Sequence, residues 1–90
     1  MNKAVIRGTE AFIRWGYHNA ATLGPWTLTQ EGATSTVTAK VTSHDVCAVS
    51  QQPLTFVVPR PKGHKWVWPI VNLLQVSGDQ FTLSVGPLQE

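Results

Sequence analysis

The sequence predicts an all-β fold, a small antiparallel β-barrel or β-sandwich of six to eight short strands. Three observations carry that expectation. Val, Thr and Ile are stiff at χ1 and pack well on a pleated surface, and they make up 24 of the 90 residues. Apolar and polar residues alternate with period two in several segments, most cleanly at 34–42. Turn residues interrupt these segments every 8–12 residues or so, roughly the spacing of strands in a small barrel or sandwich.

Val5 and Ile6 open a short first strand that Gly8 interrupts. Residues 11–17 alternate, with Ile13, Trp15 and Tyr17 on one face and Phe12 and Arg14 on the other. Gly16 within this run marks a bulge or a close backbone approach. Residues 18–24 read as a loop with one helical turn at 19–23. Gly24-Pro25 then starts a strand with Trp26, Leu28 and Gln30 on one face and Thr27 and Thr29 on the other. Glu31-Gly32-Ala33 turns the chain into 34–42, where Val37, Ala39 and Val41 point inward and Thr36, Thr38, Lys40 and Thr42 outward. The two runs together read as a hairpin. Ser43-His44-Asp45 is a break, 46–49 a short strand and 50–53 a polar link.

Residues 54–58 are nearly all apolar and are expected to be buried on both faces. The segment 59–65 is an exposed loop, because neither Pro59 nor Pro61 can donate to a ladder. Trp66, Trp68 and Ile70 share a face of the next strand, 66–71, with Pro69 at an edge or bulge. Residues 72–76 and 80–85 form a last hairpin through Ser77-Gly78-Asp79, with Phe81, Leu83 and Val85 inward. Gly86-Pro87 ends the domain and 88–90 is a tail. The expected core contains Ile13, Trp15, Leu28, Val37, Val41, Phe56, Val58, Trp68, Ile70, Phe81 and Leu83. The hairpins at 25–41 and 69–85 share a pattern of Pro, apolar strand, Gly turn and Thr-bearing alternating strand.

Residues 1–90 form one domain at this length. Hydrophobic residues are 42% and charged residues 13%, against about 25% charged in an average soluble domain. The surface is therefore built largely from Thr, Ser, Gln and Asn, and a disordered chain is excluded. A net charge of +2 permits attraction to nucleic acid without demanding it. The single Cys47 has no partner for an internal disulfide and excludes a Cys-based zinc framework, so a reducing cytoplasm is the expected setting. The longest apolar runs fall far short of the ~20 residues of a spanning helix, and residues 1–13 have no continuous apolar core of a secretory signal. No membrane association is expected.

The chemistry-bearing side chains are few and scattered. His18, His44 and His64 fall in three separate loops, and Cys47 reads as a small buried thiol among Val and Ala. A zinc site needs three or four converging ligands, so no metal is expected. Asp45 and Asp79 read as turn residues, and no carboxylate pair is spaced for acid–base work. Nucleophile elbows, phosphate loops and dinucleotide fingerprints are absent from the sequence. The reading is a protein that is not an enzyme and that carries no cofactor.

Two features suggest function. Arg60, Lys62 and Lys65 surround Gly63-His64 and run directly into Trp66 and Trp68. Cations that track phosphates beside stacking aromatics are the requirements of a single-strand nucleic-acid surface. Against that, Trp66 and Trp68 share a face with Ile70, which fits a core equally well. Trp15, Tyr17 and Trp26 are the second feature. Four Trp in 90 residues is generous, and those left outside the core would anchor a protein partner. A low-charge, Thr-rich β surface can also accept another strand or subunit.

The stretches RWGYHNAATLGPWTL at 14–28 and PLTFVVPRPKGHKWVWPI at 53–70, with the closing hairpin to Gly86-Pro87, resemble small accessory proteins of tailed phages and prophages. The resemblance implies an accessory or assembly component and assigns no functional residue. The expected function is a non-enzymatic protein-interaction or assembly module of phage or mobile-element origin, with a protein partner or self-association. The alternative is a weak, sequence-tolerant single-stranded nucleic-acid binder using Arg60, Lys62, Lys65 and Trp66. That alternative requires the cations to share a face with others such as Lys40 or Arg14, without crowding by Glu31 and Asp79. A third option, a small-ligand site, requires a deep polar pocket in the barrel.

Overall fold

The computed structural model describes residues 4–89. Met1–Lys3, and Glu90 at the end of the expected tail, lie outside them. Among the described residues seven strands occur: β1 (Ala4–Gly8), β2 (Ala11–Trp15), β3 (His18–Glu31), β4 (Thr34–His44), β5 (Thr55–Pro59), β6 (Lys65–Ser77) and β7 (Gln80–Val85). A one-turn helix, α1 (Val46–Val49), and a 3₁₀ turn, Pro61–Gly63, complete the elements. All pairings are antiparallel. The neighbour order β3-β2-β5-β6-β7-β4 closes through β3–β4, which makes a six-stranded barrel with β1 added alongside β3.

The barrel is assembled from two three-stranded meanders, β2-β3-β4 and β5-β6-β7, joined by the seams β2–β5 and β4–β7. In each, a long central strand pairs through its first half with the preceding short strand: β2 with residues 18–23 of β3, and β5 with 65–69 of β6. Three hairpins close through two-residue loops, Gly16-Tyr17, Gly32-Ala33 and Gly78-Asp79. In each the leading glycine has φ near +60°. That is the Gly-first requirement of a turn whose twist matches the strands it joins.

Alternation decides the core. Val37, Ala39 and Val41 of β4 are buried while Lys40 is exposed, so the register of 34–42 is the expected one. Phe56, Val57 and Val58 are all buried, as their uninterrupted apolar run required. Phe56, Phe81, Ile13, Leu23, Leu28, Leu83, Val37 and Val85 fill the barrel axis.

Six expectations are corrected. Residues 18–24 are the first half of β3 instead of a loop with a helical turn. Pairing to β2 on one side and β4 on the other overrides the helix preference of Ala20 and Ala21, both of which are buried. Residues 46–49 are helical because the Asp45 carboxylate accepts from the Cys47 and Ala48 N–H groups and caps a turn. Cys47 stands on the outside of that turn and is exposed. Trp15, expected in the core, is the last residue of β2 and 39% exposed, because the Gly16-Tyr17 turn carries it past the barrel rim. Residues 66–71 and 72–76 are parts of one strand, β6, kept continuous by two register shifts. Ile70 is half-buried.

Candidate functional site

The β2–β3 hairpin holds the aromatic candidates. Tyr17 occupies the second turn position and is 99% exposed, next to Trp15. Arg14 Nη2 donates to the Tyr17 carbonyl at 3.3 Å, so this guanidinium stiffens the hairpin instead of joining the basic loop. Beside it, the His18 ring lies 3.3 Å from the Asp45 carboxylate and ties the start of β3 to the helix cap. Trp26 is a correction to the expected docking set: it is 3% exposed. Its Nε1 donates to the Glu10 carbonyl at 3.0 Å, and its ring meets Phe56 edge-on at 5.3 Å. Four Trp were more than the core needed by only one; Trp26 and Trp68 are buried, Trp66 is half-buried and Trp15 is outside.

The basic loop is exposed from Pro59 to Lys65. Arg60 stacks on Trp66, with its guanidinium carbon 4.1 Å from the ring centroid. The other aromatic contact of Trp66 is an edge-on one with Trp68 at 6.0 Å. Trp66 therefore offers no free face on the Arg60 side, which a stacking base would have to displace. A recess of about 270 Å³ lies between β1 and this loop, lined by Arg7, Glu10, Val58, Arg60 and Trp66 among others. Arg7 is the cation that sequence reading did not group with the loop. The pairing of β1 beside β3, which spans the chain's first and third strands, brings it there. Arg7 also borders a second recess of about 510 Å³ with Lys40 and Asp79. Lys40 lies 3.9 Å from the Asp79 carboxylate, so part of the positive charge on that side is neutralised locally.

Residues 71–77, the second half of β6, were not singled out from sequence. They pair with β7 on one side. On the other, β5 pairs only as far as Pro69, and the Ile70 N–H bonds to the Leu54 carbonyl. Among the described residues no strand pairs beyond that point. Along β7, Ile70 faces Val85 and Asn72 faces Ser84, then Leu73 faces Leu83 and Gln75 faces Thr82. The residues skipped are Val71 and Leu74, 69% and 53% exposed. A bulge leaves one residue unpaired and bends its strand, and here both extra residues are large aliphatics.

His44 ends β4 with its ring 5.6 Å from Phe81, and His64 follows the 3₁₀ turn, so the three histidines do not converge. Among the described residues no group of three or more His, Cys, Asp or Glu could hold a metal ion. Among them also, no helix is long and apolar enough to cross a membrane. Comparison with protein-family models, curated proteins and solved structures returns no match for this chain.

Proposed function

We propose that the protein is a non-enzymatic interaction module that joins an assembly by strand addition. The observation that supports this reading is the unpaired edge of β6 with its two exposed bulge residues, Val71 and Leu74. Edge strands in natural proteins are commonly blunted with charge, proline or bulges. From Ile70 to Gly78 this edge has no charge or proline, and its two bulges turn large aliphatic side chains outward. Trp15 and Tyr17 add a second exposed apolar surface on the β2–β3 hairpin. The resemblance of 14–28 and 53–70 to tailed-phage accessory proteins fits an assembly component, and the exposed, unpaired Cys47 fits a reducing, cytoplasmic setting. The test is photocrosslinking in the native host. A benzophenone amino acid replaces Leu74 in one variant and the exposed Thr36 in another. Adducts at position 74 and none at 36 are expected. No adduct at 74 removes the reading.

A second reading, a sequence-tolerant single-strand nucleic-acid surface, is favoured by one observation: Arg7 joins Arg60 and Trp66 around one recess, with Lys62 and Lys65 exposed on the same loop as Arg60. Glu10 in the same recess and the Lys40–Asp79 pair work against it. Titration of labelled single-stranded DNA distinguishes the two. Three phosphate contacts predict a log–log salt slope of roughly −2. A flat titration at low salt eliminates this alternative.

A further inference from the structure

We propose that the barrel mouth around Ser35 binds one uncharged, largely apolar small molecule that carries a hydrogen-bonding group. The site is separate from the β6 edge and independent of the strand-addition reading.

The two ends of the barrel differ. β4 begins at Thr34 and ends at His44, and α1 follows that end and packs Ala48 into the core there. At the end where β4 begins, no helix among the described residues plays this part, and a recess of about 520 Å³ opens. Its walls are Ile6 of β1, Leu28 of β3, Trp68 of β6, and Pro87 and Leu88 of the segment after β7. That segment, a tail by sequence, is held in place as a wall. The Gly86 N–H donates to the Pro69 carbonyl at 2.8 Å, and the Gln89 N–H donates to the Val67 carbonyl at 2.7 Å.

Ser35 gives the recess its polarity. The buried column of β4 is Ser35, Val37, Ala39 and Val41, so period-two alternation turns a hydroxyl inward at the mouth where the deeper positions are aliphatic. Ser35 is 7% exposed, the only buried polar side chain among the described residues, and its hydroxyl bonds to none of them. A buried polar group without a partner is exceptional in a folded protein and costs stability. Across from Ser35 on β3 stands Gln30, exposed at the rim of the same recess. A hydroxyl and an amide each donate and accept, so they suit an alcohol, a ketone or an ester.

Charge and size narrow the ligand further. None of the described residues lining the recess is charged. A carboxylate or ammonium would give up its hydration there with no counter-ion to replace it. The volume falls within the range of about 300–1,000 Å³ common to small-molecule sites, which recur in the mouths of β-barrels. It exceeds the roughly 150 Å³ cavity that holds a single benzene ring. A bicyclic aromatic ketone or a medium-chain alcohol meets both limits. The recess is apolar with a buried hydroxyl, in place of the deep polar pocket that the sequence reading required of a ligand site.

Fluorescence titration of the purified protein with prodan, a neutral naphthyl ketone, tests the proposal. Its emission should shift to the blue and saturate at one molecule per chain. Decanol should displace it; decanoate, of the same chain length but charged, should not at equal concentration. Ser35→Ala should fold and bind prodan roughly three- to tenfold more weakly, the worth of one hydrogen bond. Ser35→Phe directs a ring into the recess and should abolish binding without lowering the urea midpoint. If that variant fails to fold, the Ser35→Ala comparison remains, with prodan-induced shifts of the Gln30, Ser35 and Leu88 amide signals to locate the site. Leu74→Ser, at the β6 edge, should bind prodan as wild type does. A flat titration overturns the inference, as does a folded Ser35→Phe that binds equally. Undiminished affinity in Ser35→Ala, equal displacement by decanoate, or loss of binding in Leu74→Ser overturns it as well.

Discussion

Trp26 is held at several points, and Gly8 is the condition for that. The indole N–H bonds to the Glu10 carbonyl, the ring meets Phe56, and the Gly8 backbone crosses the indole so closely that an added Cβ would lie 2.5 Å from it. The ring is core and cannot swing away without losing its hydrogen bond. Gly8→Ala should therefore destabilise the fold by about 1–3 kcal/mol, the usual cost of overpacking. The check is a urea melt: the midpoint should fall with the slope unchanged. An unchanged midpoint would mean that β1 slides off Trp26 at no cost.

At the scale of elements, α1 depends on one carboxylate. The Asp45 pKa is lowered, first by the Ala48 N–H and then by the His18 ring, with the Cys47 N–H adding to the effect against some desolvation. A depressed carboxylate pKa stabilises the fold fully above its unfolded value, near pH 4. That contribution is lost as pH falls through the lowered folded value. An acid titration followed by amide chemical shifts should move the Cys47 and Ala48 N–H signals only below about pH 4. In Asp45→Asn the same signals should lose this transition. A transition that persists in the variant would assign the turn's acid sensitivity to another group.

At the scale of the whole molecule, closure depends on the seam between meanders. Val37 and Leu83 face each other directly across β4 and β7, and both are fully buried. A domain of this length has about 5–13 kcal/mol of stability. Leu83→Ala should remove about 2–5 kcal/mol of it. Because the two side chains touch one another's cavity, the Val37→Ala/Leu83→Ala double variant should depart from the sum of the single variants by at least about 0.5 kcal/mol. Additive losses would mean that the seam relaxes independently on its two sides. The seam joins strands distant in sequence, so folding on a millisecond-to-second scale is expected in stopped-flow measurements.

The sequence by itself determined the all-β class, the register of 34–42, the two-sided burial of Phe56, Val57 and Val58, the turns at Gly32 and Gly78, and the exposure of the 59–65 loop. Each follows from period-two alternation, from β-branched content or from backbone limits on Gly and Pro, all local properties. The tertiary structure alone decided the rest. Residues 18–24 became strand because two neighbours needed a partner there, and 46–49 became helix because one side chain capped it. Trp26 went inside and Trp15 outside, although both sit in alternating runs, because Trp26 is flanked by β1 and β4 and packs on Phe56, whereas Trp15 ends β2 beside the turn. Arg7 reached the recess of Arg60 and Trp66 through the β1–β3 pairing. The open edge of β6 was the least legible feature. An unpaired strand and a paired one carry the same alternating residues, and a vacancy is a property of the neighbours a strand lacks, which no local pattern records.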